Sequence, residues 1–477
     1  MASDKETLLN GMFWNAVQKY SGQVVSIVVS MVLARLLSPE DFGVIAIALV
    51  IISFLNILCD MGIGPAIIQR NDLNQNDLDN IYTFSCIVGV LLSLCFFLSS
   101  WPISFFYNNQ KLIVVCQILA CNVFFAAANM VPNALMVKNF RFKQIAKRTL
   151  FLQILSGFLS VAVAYKGGGI YSLLISPVVT AIGVFLYNRQ FYKLRLARRL
   201  TLNPIKKIFS YSAFQFAFKF INFFAANIDK IVIGKTMSAY NLGYYQKSFQ
   251  LVQLPLSNID SVITPVLHPL LSKYQGDKDG LISRYNKVIN LLATIGFPLG
   301  VYMFFCATEI IVFFYGDQWI NAVPVFRILA ISAPVYITLS SCGSFFQASN
   351  ETKNLFYLGV VNSFIMIGLT LIAGLFFRTI ESVAMAWSIS ILSNFFWTYY
   401  FIYVRVLNRS ILVALKNFIR PVICALIALV SLFAVNYFLH DYYLANFCAK
   451  TITFIVIEIS ALYFTGQLQM LLTIKSK

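Results

Sequence analysis

Charge is the scarcest commodity in this 477-residue chain: 11% of its residues are Asp, Glu, Lys or Arg, while 59% are hydrophobic and the mean hydropathy is +0.77. So few charges cannot cover a water-soluble surface, which excludes a large soluble enzyme. Acids are scarcer than bases, 18 against 36, and in a soluble protein the net charge of +18 would point to nucleic acid. The placement of the bases, described below, excludes that reading. The two histidines, His268 and His440, lie far apart in sequence. No outer loop holds paired carboxylates set for catalysis, and no phosphate loop or dinucleotide fingerprint occurs, so the sequence offers no catalytic constellation. The nine cysteines show no CxxC spacing, and Cys59, Cys86, Cys95 and Cys424 lie inside apolar runs. That pattern means buried free thiols rather than a metal site or disulfides, and no cofactor is expected. No small-residue cleavage site follows a short apolar region near the N-terminus, so no removable leader is expected.

What the chain does have is apolar stretches of about 20 residues, repeated from end to end and long enough to cross a hydrocarbon core as helices. It reads as an all-α polytopic membrane protein. About fourteen spans are expected, near 10–36, 42–68, 80–106, 112–137, 146–165, 169–190, 207–235, 240–271, 287–307, 322–347, 354–377, 381–405, 412–439 and 444–467. Alternate connectors are basic. One set holds Arg70; Lys138, Arg141, Lys143, Lys147 and Arg148; Arg189, Lys193, Arg195, Arg198, Arg199, Lys206 and Lys207; Lys273, Lys278, Arg284 and Lys287; then Lys353, Arg405, Arg409, Lys416 and Arg420. The intervening connectors are short and carry roughly one base or none, such as Lys111, Lys166, Lys235 or Arg378. Basic loops stay in the cytoplasm, so both termini are expected there. Anionic headgroups account for these loops without nucleic acid. Trp101, Tyr107, Tyr315, Trp319, Tyr442 and Tyr443 fall at the opposite, outer ends and read as interfacial anchors.

One hairpin, Gly11 to Pro65, recurs. A shift of 200 residues carries Lys19 onto Lys219, Arg35 onto Lys235, Ser38 onto Ser238, Gly43 onto Gly243, Asp60 onto Asp260 and Pro65 onto Pro265. Few residues match, but they are charges inside apolar runs and turn residues. Six spans separate the copies, so they enter the membrane in the same sense, as a parallel repeat. Three segments are therefore expected: 1–204 and 205–408 as six-helix lobes, and 409–477 as two further helices and a short tail. The long basic connector from Arg189 to Lys207 serves as the linker between the lobes.

Within the first span Asn15, Lys19, Gly22, Ser26 and Ser30 share one helical face, as Gln215, Lys219, Asn222, Ala226 and Lys230 do in the seventh. The eighth span adds Lys247, Gln250, Gln253 and Asp260, and the second adds Asp60. A charge at the bilayer centre costs about 2.5–3.5 kcal/mol, so these groups should face protein or water. A purely structural reading pairs Asp60 and Asp260 with Lys19 and Lys219. Against it, Lys19, Lys219, Lys230, Lys247 and Arg327 outnumber the acids Asp60, Asp229, Asp260 and Glu458 in or near the spans. Some cation is expected to face a wet cavity with an anionic guest. The Asn and Gln side chains suit hydroxyl-rich ligands, and also join helices. Spans thirteen and fourteen show little internal charge beyond Glu458.

The turn Ala34-Arg35-Leu36-Leu37-Ser38-Pro39-Glu40-Asp41-Phe42-Gly43 resembles the first-turn motif of lipid-linked polysaccharide flippases of the multidrug/oligosaccharidyl-lipid/polysaccharide exporter superfamily. Further likenesses follow in order: Val131-Pro132-Asn133-Ala134-Leu135 with Phe140-Arg141-Phe142-Lys143, Ala226-Asn227-Ile228-Asp229-Lys230 with Ile233-Gly234-Lys235, Leu242-Gly243-Tyr244-Tyr245, and Tyr315-Gly316-Asp317-Gln318-Trp319 before Pro324. The resemblance covers roughly residues 10 to 405 and is similar to the colanic-acid and teichuronic-acid exporters and the O-unit flippases. It implies two six-helix lobes in a V shape plus two further helices. It implies alternating access in a bacterial inner membrane, carrying an oligosaccharide on undecaprenyl diphosphate to the outer leaflet. By that resemblance Lys19 and Lys219 hold the diphosphate; the charges counted above add Lys230, Lys247 and Arg327 as further candidate cations. Asn15, Gln215, Asn222, Gln250 and Gln253 would contact sugars. Asp60, Asp229 and Asp260 are candidates for coupling to H+ or Na+. Membrane lipids are partners, and the polysaccharide polymerase and chain-length machinery are candidate ones. Where related lipid-II flippases favour arginines this chain has lysines, so bidentate phosphate binding is not implied. Three alternatives remain open at this point: a multidrug antiporter, which should have acids in its cavity; a membrane polymerase or ligase, which should have a long outer catalytic loop; and a non-transporting assembly scaffold.

Overall fold

The computed structural model describes residues 2–60, 62–197, 201, 213–438 and 443–464, and the regular structure among them is helical throughout. Arg198, Arg199, Lys206, Lys207, His440, Tyr442, Lys475 and Lys477 lie outside the described residues. Two compact units divide the chain, Met1–Gly243 and Tyr244–Lys477. Described helices fall on each of the fourteen expected spans. Eleven helical stretches among the described residues are long and apolar enough to cross a membrane, and the protein is a multi-pass membrane protein.

In the first unit the elements are α1 (Ala2–Leu36), α2 (Pro39–Asp60), α3 (Ile63–Gln69), α4 (Gln75–Tyr107), α5 (Lys111–Ala128), α6 (Met130–Lys138), α7 (Phe142–Tyr165), α8 (Tyr171–Arg189) and α9 (Ala213–Thr236). The α1–α2 turn is built by its sequence. Ser38 caps α2: its hydroxyl accepts the Asp41 backbone N–H at 3.3 Å, and the Asp41 carboxylate accepts the Ser38 N–H at 3.2 Å. This reciprocal box satisfies two donors that a helix start leaves open, and Pro39 at the first helical position gives up none. The second copy of the turn uses Ser238 in the same way, accepting from the Asn241 N–H at 3.2 Å at the start of α10 (Ala239–Ser272).

The two copies of the turn touch each other. A Cβ on Gly43 would run into the backbone carbonyl of Ala239, and a Cβ on Gly243 into that of Pro39. Each glycine of the 200-residue repeat therefore packs on the first helical residue of the other copy. Nearby, Lys235 at the end of α9 donates to the Phe106 carbonyl of α4 at 2.7 Å. At its other end α9 packs on α2 through Phe54, whose ring lies 5.4–5.8 Å from those of Phe220, Phe223 and Phe224.

Two further features shape this unit. α1 lies along α7 by close backbone approach, with Gly22 facing Gln153 and Gly157 facing Val29. Gly22 is thus part of a helix contact, and the polar stripe of α1 is interrupted there. Arg148 of α7 is buried and donates to Asn188 of α8, which in turn donates to the Asn129 side chain at 2.8 Å, at the break between α5 and α6.

The second unit contains most of α10, followed by α11 (Lys278–Phe305), α12 (Ala307–Tyr315), a 3-10 turn Asp317–Ala322, α13 (Val323–Leu339), α14 (Cys342–Ala348), α15 (Thr352–Ile372), α16 (Ile380–Tyr400), α17 (Ile411–Phe438) and α18 (Tyr443–Phe464). α11 is central, packing on α13 and α17, and α18 packs on α17 and α11. Side chains stop and start these helices in the usual way: Asp277 caps α11 through the Gly280 N–H at 2.9 Å, and Thr379 caps α16 through the Ser382 N–H at 3.2 Å.

Two expectations need correction. Tyr315 and Trp319 are not interfacial anchors: they are 2% and 0% exposed, and Trp319 packs edge-on against Tyr244 at 5.9 Å. Their rings fill the space under the 3-10 turn, a burial that position near a span end does not reveal. The repeat also weakens beyond Asp60. α2 ends at that residue and α3 begins after Gly62, which has φ +78°, whereas α10 runs unbroken through Asp260 despite Pro255, Pro265 and Pro269.

Because the glycine contacts oppose backbone to backbone, no rotamer change relieves them. Gly43→Val and Gly243→Val should each destabilise the purified protein by about 1–3 kcal/mol, the usual cost of overpacking. Gly343→Ala, where a Cβ meets open space, should leave the thermal unfolding midpoint in place. Unchanged midpoints for both valine variants would contradict the reciprocal contact.

Candidate functional site

The polar side chains of the first unit fall into three settings. Lys19 on α1 is exposed, as is Asn15 one turn earlier, and its ammonium lies 5.9 Å from the Tyr20 ring. Among the described residues no acid forms an ion pair with it. Lys219 on α9 reaches Asp60 at the end of α2, with Nζ 2.7 Å from Oδ2. Both side chains stay accessible, at 45% and 28%. The aromatic cluster around Phe54 sets α9 on α2 and brings the two charges into register. Lys230 is half-buried and donates to the Asn227 side chain at 3.1 Å, while the buried Asp229 accepts the Lys230 backbone N–H at 2.8 Å. Asn222 is half-buried on the same helix. The side chain of Gln215 lies outside the described residues.

The expected pairing of Asp60 is therefore made, but with the lysine of the other repeat copy rather than with Lys19. The polar stripes of α1 and α9 also differ in setting, since α9 packs mainly on α2. Lys219 is held by an acid, and Lys19 is available.

In the second unit Lys247 is 4% exposed, with its ammonium 4.9 Å from the centre of the Tyr315 ring. Gln250 and Gln253 follow on α10, half-buried. Asp260 accepts a hydrogen bond from Thr264 at 2.6 Å and lines a cavity of about 410 Å³ with Tyr336, Ser340, Gln347 and Asn394. Arg327 stands apart from these. It lines a separate cavity of about 390 Å³ with Thr308, Glu309, Asn436, Asn446 and Lys450. The site residues expected from the sequence thus form a cluster on α2 and α9, a carboxylate pocket on α10, and an arginine pocket beside α17 and α18. No group of three or more His, Cys, Asp or Glu side chains capable of holding a metal occurs among the described residues.

The profile of a family described as "Polysaccharide biosynthesis protein" matches residues 32–324, more than half of the chain and all of the repeated turn, α9 and α10. The chain belongs to the polysaccharide biosynthesis protein family. It is 27% identical over 400 residues to the teichuronic acid biosynthesis protein TuaB of Bacillus subtilis (strain 168), covering 83% of this chain and 82% of that one. It is 21% identical over 441 residues to the succinoglycan biosynthesis transport protein ExoT of Rhizobium meliloti (strain 1021), covering 91% and 87%. Among solved structures it matches the lipid II flippase MurJ in an inward closed conformation, with a TM-score of 0.75, 16% identity, and coverage of 96% of this chain and 100% of that chain. The fold of this polysaccharide biosynthesis protein is the MurJ fold.

Reading the sequence alone misses one charged pair. Lys450 of α18 is 1% exposed, and Nζ lies 2.5 Å from Oε1 of Glu309 on α12. It also donates to the Phe305 carbonyl at 3.2 Å. The expectation that the last two spans carry little charge beyond Glu458 is wrong on this point. The available signal was a lysine well inside an apolar span, which must have a partner. That partner, in Ala307-Thr308-Glu309-Ile310-Ile311, was hidden because 141 residues separate the two.

Breaking a buried pair leaves a stranded charge, at a cost of about 3–5 kcal/mol, whereas removing both charges is often neutral. Lys450→Met should therefore lower the thermal midpoint of the detergent-solubilised protein sharply, and adding Glu309→Gln should restore most of it. A double variant as unstable as the single one would show that the pair is not the cause.

Proposed function

We propose that this protein is a transporter without enzymatic activity that moves an undecaprenyl-diphosphate-linked oligosaccharide across the bacterial inner membrane by alternating access. The observation that carries the reading is the accessible Lys219–Asp60 pair, which joins the two repeat copies, in a chain whose family and relatives are named for polysaccharide biosynthesis and transport. The basic connectors support a cytoplasmic position for the termini and for the Asp60 end of α2, the side on which such a substrate is made.

A diphosphate carries more charge than one carboxylate and competes with Asp60 for Lys219, while Lys19 supplies a second cation. Lys230 belongs to the same proposed set, and Lys247 is kept as a proposed cation of the second unit. Capture of the anion separates α9 from α2 at the Asp60 end, and the Gly43–Gly243 contact serves as the pivot at the other. The moving bodies in this scheme are residues 1–204 and 205–408, with 409–477 added to the second. Asn15, Gln215, Asn222, Gln250 and Gln253 are assigned to the sugars, whose hydroxyls both donate and accept. Asp260, in its polar pocket, is the first choice for coupling to H+ or Na+, ahead of Asp60 and the buried Asp229. The delivered repeat unit would pass to a polymerase with its chain-length machinery. A multidrug antiporter needs acids to hold cationic drugs, whereas the polar stripes of α1 and α9 present the accessible lysines Lys19 and Lys219.

Each charge-assisted contact to an anion is worth about 1.5–3 kcal/mol, so Lys19→Ala or Lys219→Ala should cut export at least about tenfold at normal membrane levels, and the double variant should abolish surface polysaccharide. Full export by the double variant would overturn the reading. Asp60→Asn separates competition from structural pairing: it should tighten binding of a polyprenyl diphosphate to the purified protein, whereas a merely structural pair predicts no change. Coupling is checked by dissipating the H+ and Na+ gradients in turn; transport indifferent to both would remove Asp260 from the scheme.

A further inference from the structure

The cavity around Arg327 lies outside the site just proposed. It is built at one end of the second unit by the C-terminus of α11 (Phe305), α12 (Thr308 and Glu309), the start of α13 (Arg327), the last turn of α17 (Asn436) and the first turns of α18 (Asn446 and Lys450). The basic residues of the same helices, Lys278, Arg284 and Lys287 on α11 and Lys416 and Arg420 on α17, lie toward the opposite end. The charge bias of the loops therefore places this cavity at the outer face.

Among its described lining residues the charges do not balance. Lys450 and Glu309 are paired at 2.5 Å and cancel. Arg327 then remains, exposed, with its guanidinium 5.9 Å from the Phe304 ring and donating to the neutral Thr308 hydroxyl at 3.3 Å. No acid pairs with it among the described residues. Asn446 is 5% exposed, donates to Asn436 at 3.4 Å, and keeps a buried side-chain oxygen with no hydrogen-bond partner. A pair that only fixed α18 to α12 would need neither an added cation, nor two amides, nor open space. About 390 Å³ is within the range of small-ligand pockets. A guanidinium is the side chain best matched to an oxyanion, since it offers two parallel donors in a fixed plane. Amide and hydroxyl donors surround it, and the unpartnered amide oxygen can accept from a protonated phosphate or an attached hydroxyl.

We propose that this cavity is a phosphate-binding site on the outer face, recognising a phosphate group carried either by a lipid or free in solution, with Arg327 as its charged ligand and the Lys450–Glu309 pair as its fixed wall. It goes beyond the transport reading, because it uses neither Lys19 nor Lys219. The full-length protein, purified in a phosphate-free detergent, is titrated with inorganic phosphate, a polyprenyl monophosphate and the uncharged polyprenol, with bound ligand counted by native mass spectrometry. The same titrations are run in the Lys19→Ala/Lys219→Ala background. Arg327→Gln should weaken phosphate binding at least about tenfold in both backgrounds without moving the thermal midpoint. Arg378→Gln, which removes an exposed arginine on another connector toward the same end, should have no effect. Binding of inorganic phosphate that depends on Arg327 identifies a free-anion site, and binding of the polyprenyl phosphate alone identifies a lipid-headgroup site; either supports the proposal. Failure of both phosphates to bind, binding unaffected by Arg327→Gln, an equal loss with Arg378→Gln, or equal binding of the polyprenol would overturn it. Loss of export in the lysine variants with phosphate binding at Arg327 intact would leave this site standing independently of the transport reading.

Discussion

A charged side chain taken into hydrocarbon without a counter-charge costs several kcal/mol, and every ionised group inside these helices answers to that constraint. Two ion pairs meet it in contrasting ways. Lys450 and Glu309 are both nearly sealed from solvent, and their bridge fastens the last helix to the second unit. Lys219 and Asp60 remain accessible, so their bridge can be exchanged for another without stranding either charge in a dry interior. A sealed pair suits a permanent joint, and an accessible one suits a contact that opens. Lys19 and Arg327, for which no ion pair is found among the described residues, are accessible cations that an outside anion can meet.

The repeat shows how two copies of one hairpin can be alike and still do different work. The turns are equivalent: each has a capping serine, and each has a glycine whose missing side chain lets the other copy's backbone approach. Further along, the copies diverge, because α2 stops at Asp60 and α10 passes through Asp260. The first acid is thereby left at a helix end within reach of Lys219. The second is carried inside a continuous helix into a polar pocket with Thr264, Tyr336 and Asn394. Repetition supplies the paired turn contact, and divergence leaves the accessible Lys219–Asp60 pair.

Much of the architecture was legible from residue order. Apolar length located the helices, since a segment that must satisfy its own backbone hydrogen bonds in lipid has few alternatives to an α-helix. The motif Ser38-Pro39-Glu40-Asp41 marked a helix start because its hydrogen bonds are local. The candidate site was legible only in part. The list of cations was available, but Lys247 proved to be packed against Tyr315 while Lys19 is exposed, and Arg327 proved to belong with α17 and α18. Tyr315 and Trp319 were misplaced for the same reason: an aromatic residue near a span end reads alike whether it faces headgroups or fills a core.

The sequence by itself determined that this is a multi-pass helical membrane protein, where its turns fall, that one hairpin turn recurs, and that bases outnumber acids along its polar stripes. These properties depend on composition and on contacts within a few residues, which chain order encodes directly. Only the tertiary structure decided which lysine meets which carboxylate, that Gly43 and Gly243 pack on each other's turns, and that Glu309 lies under Lys450. Partners separated by 141 to 204 residues are chosen by helix packing, and packing depends on the shapes of all the intervening side chains together.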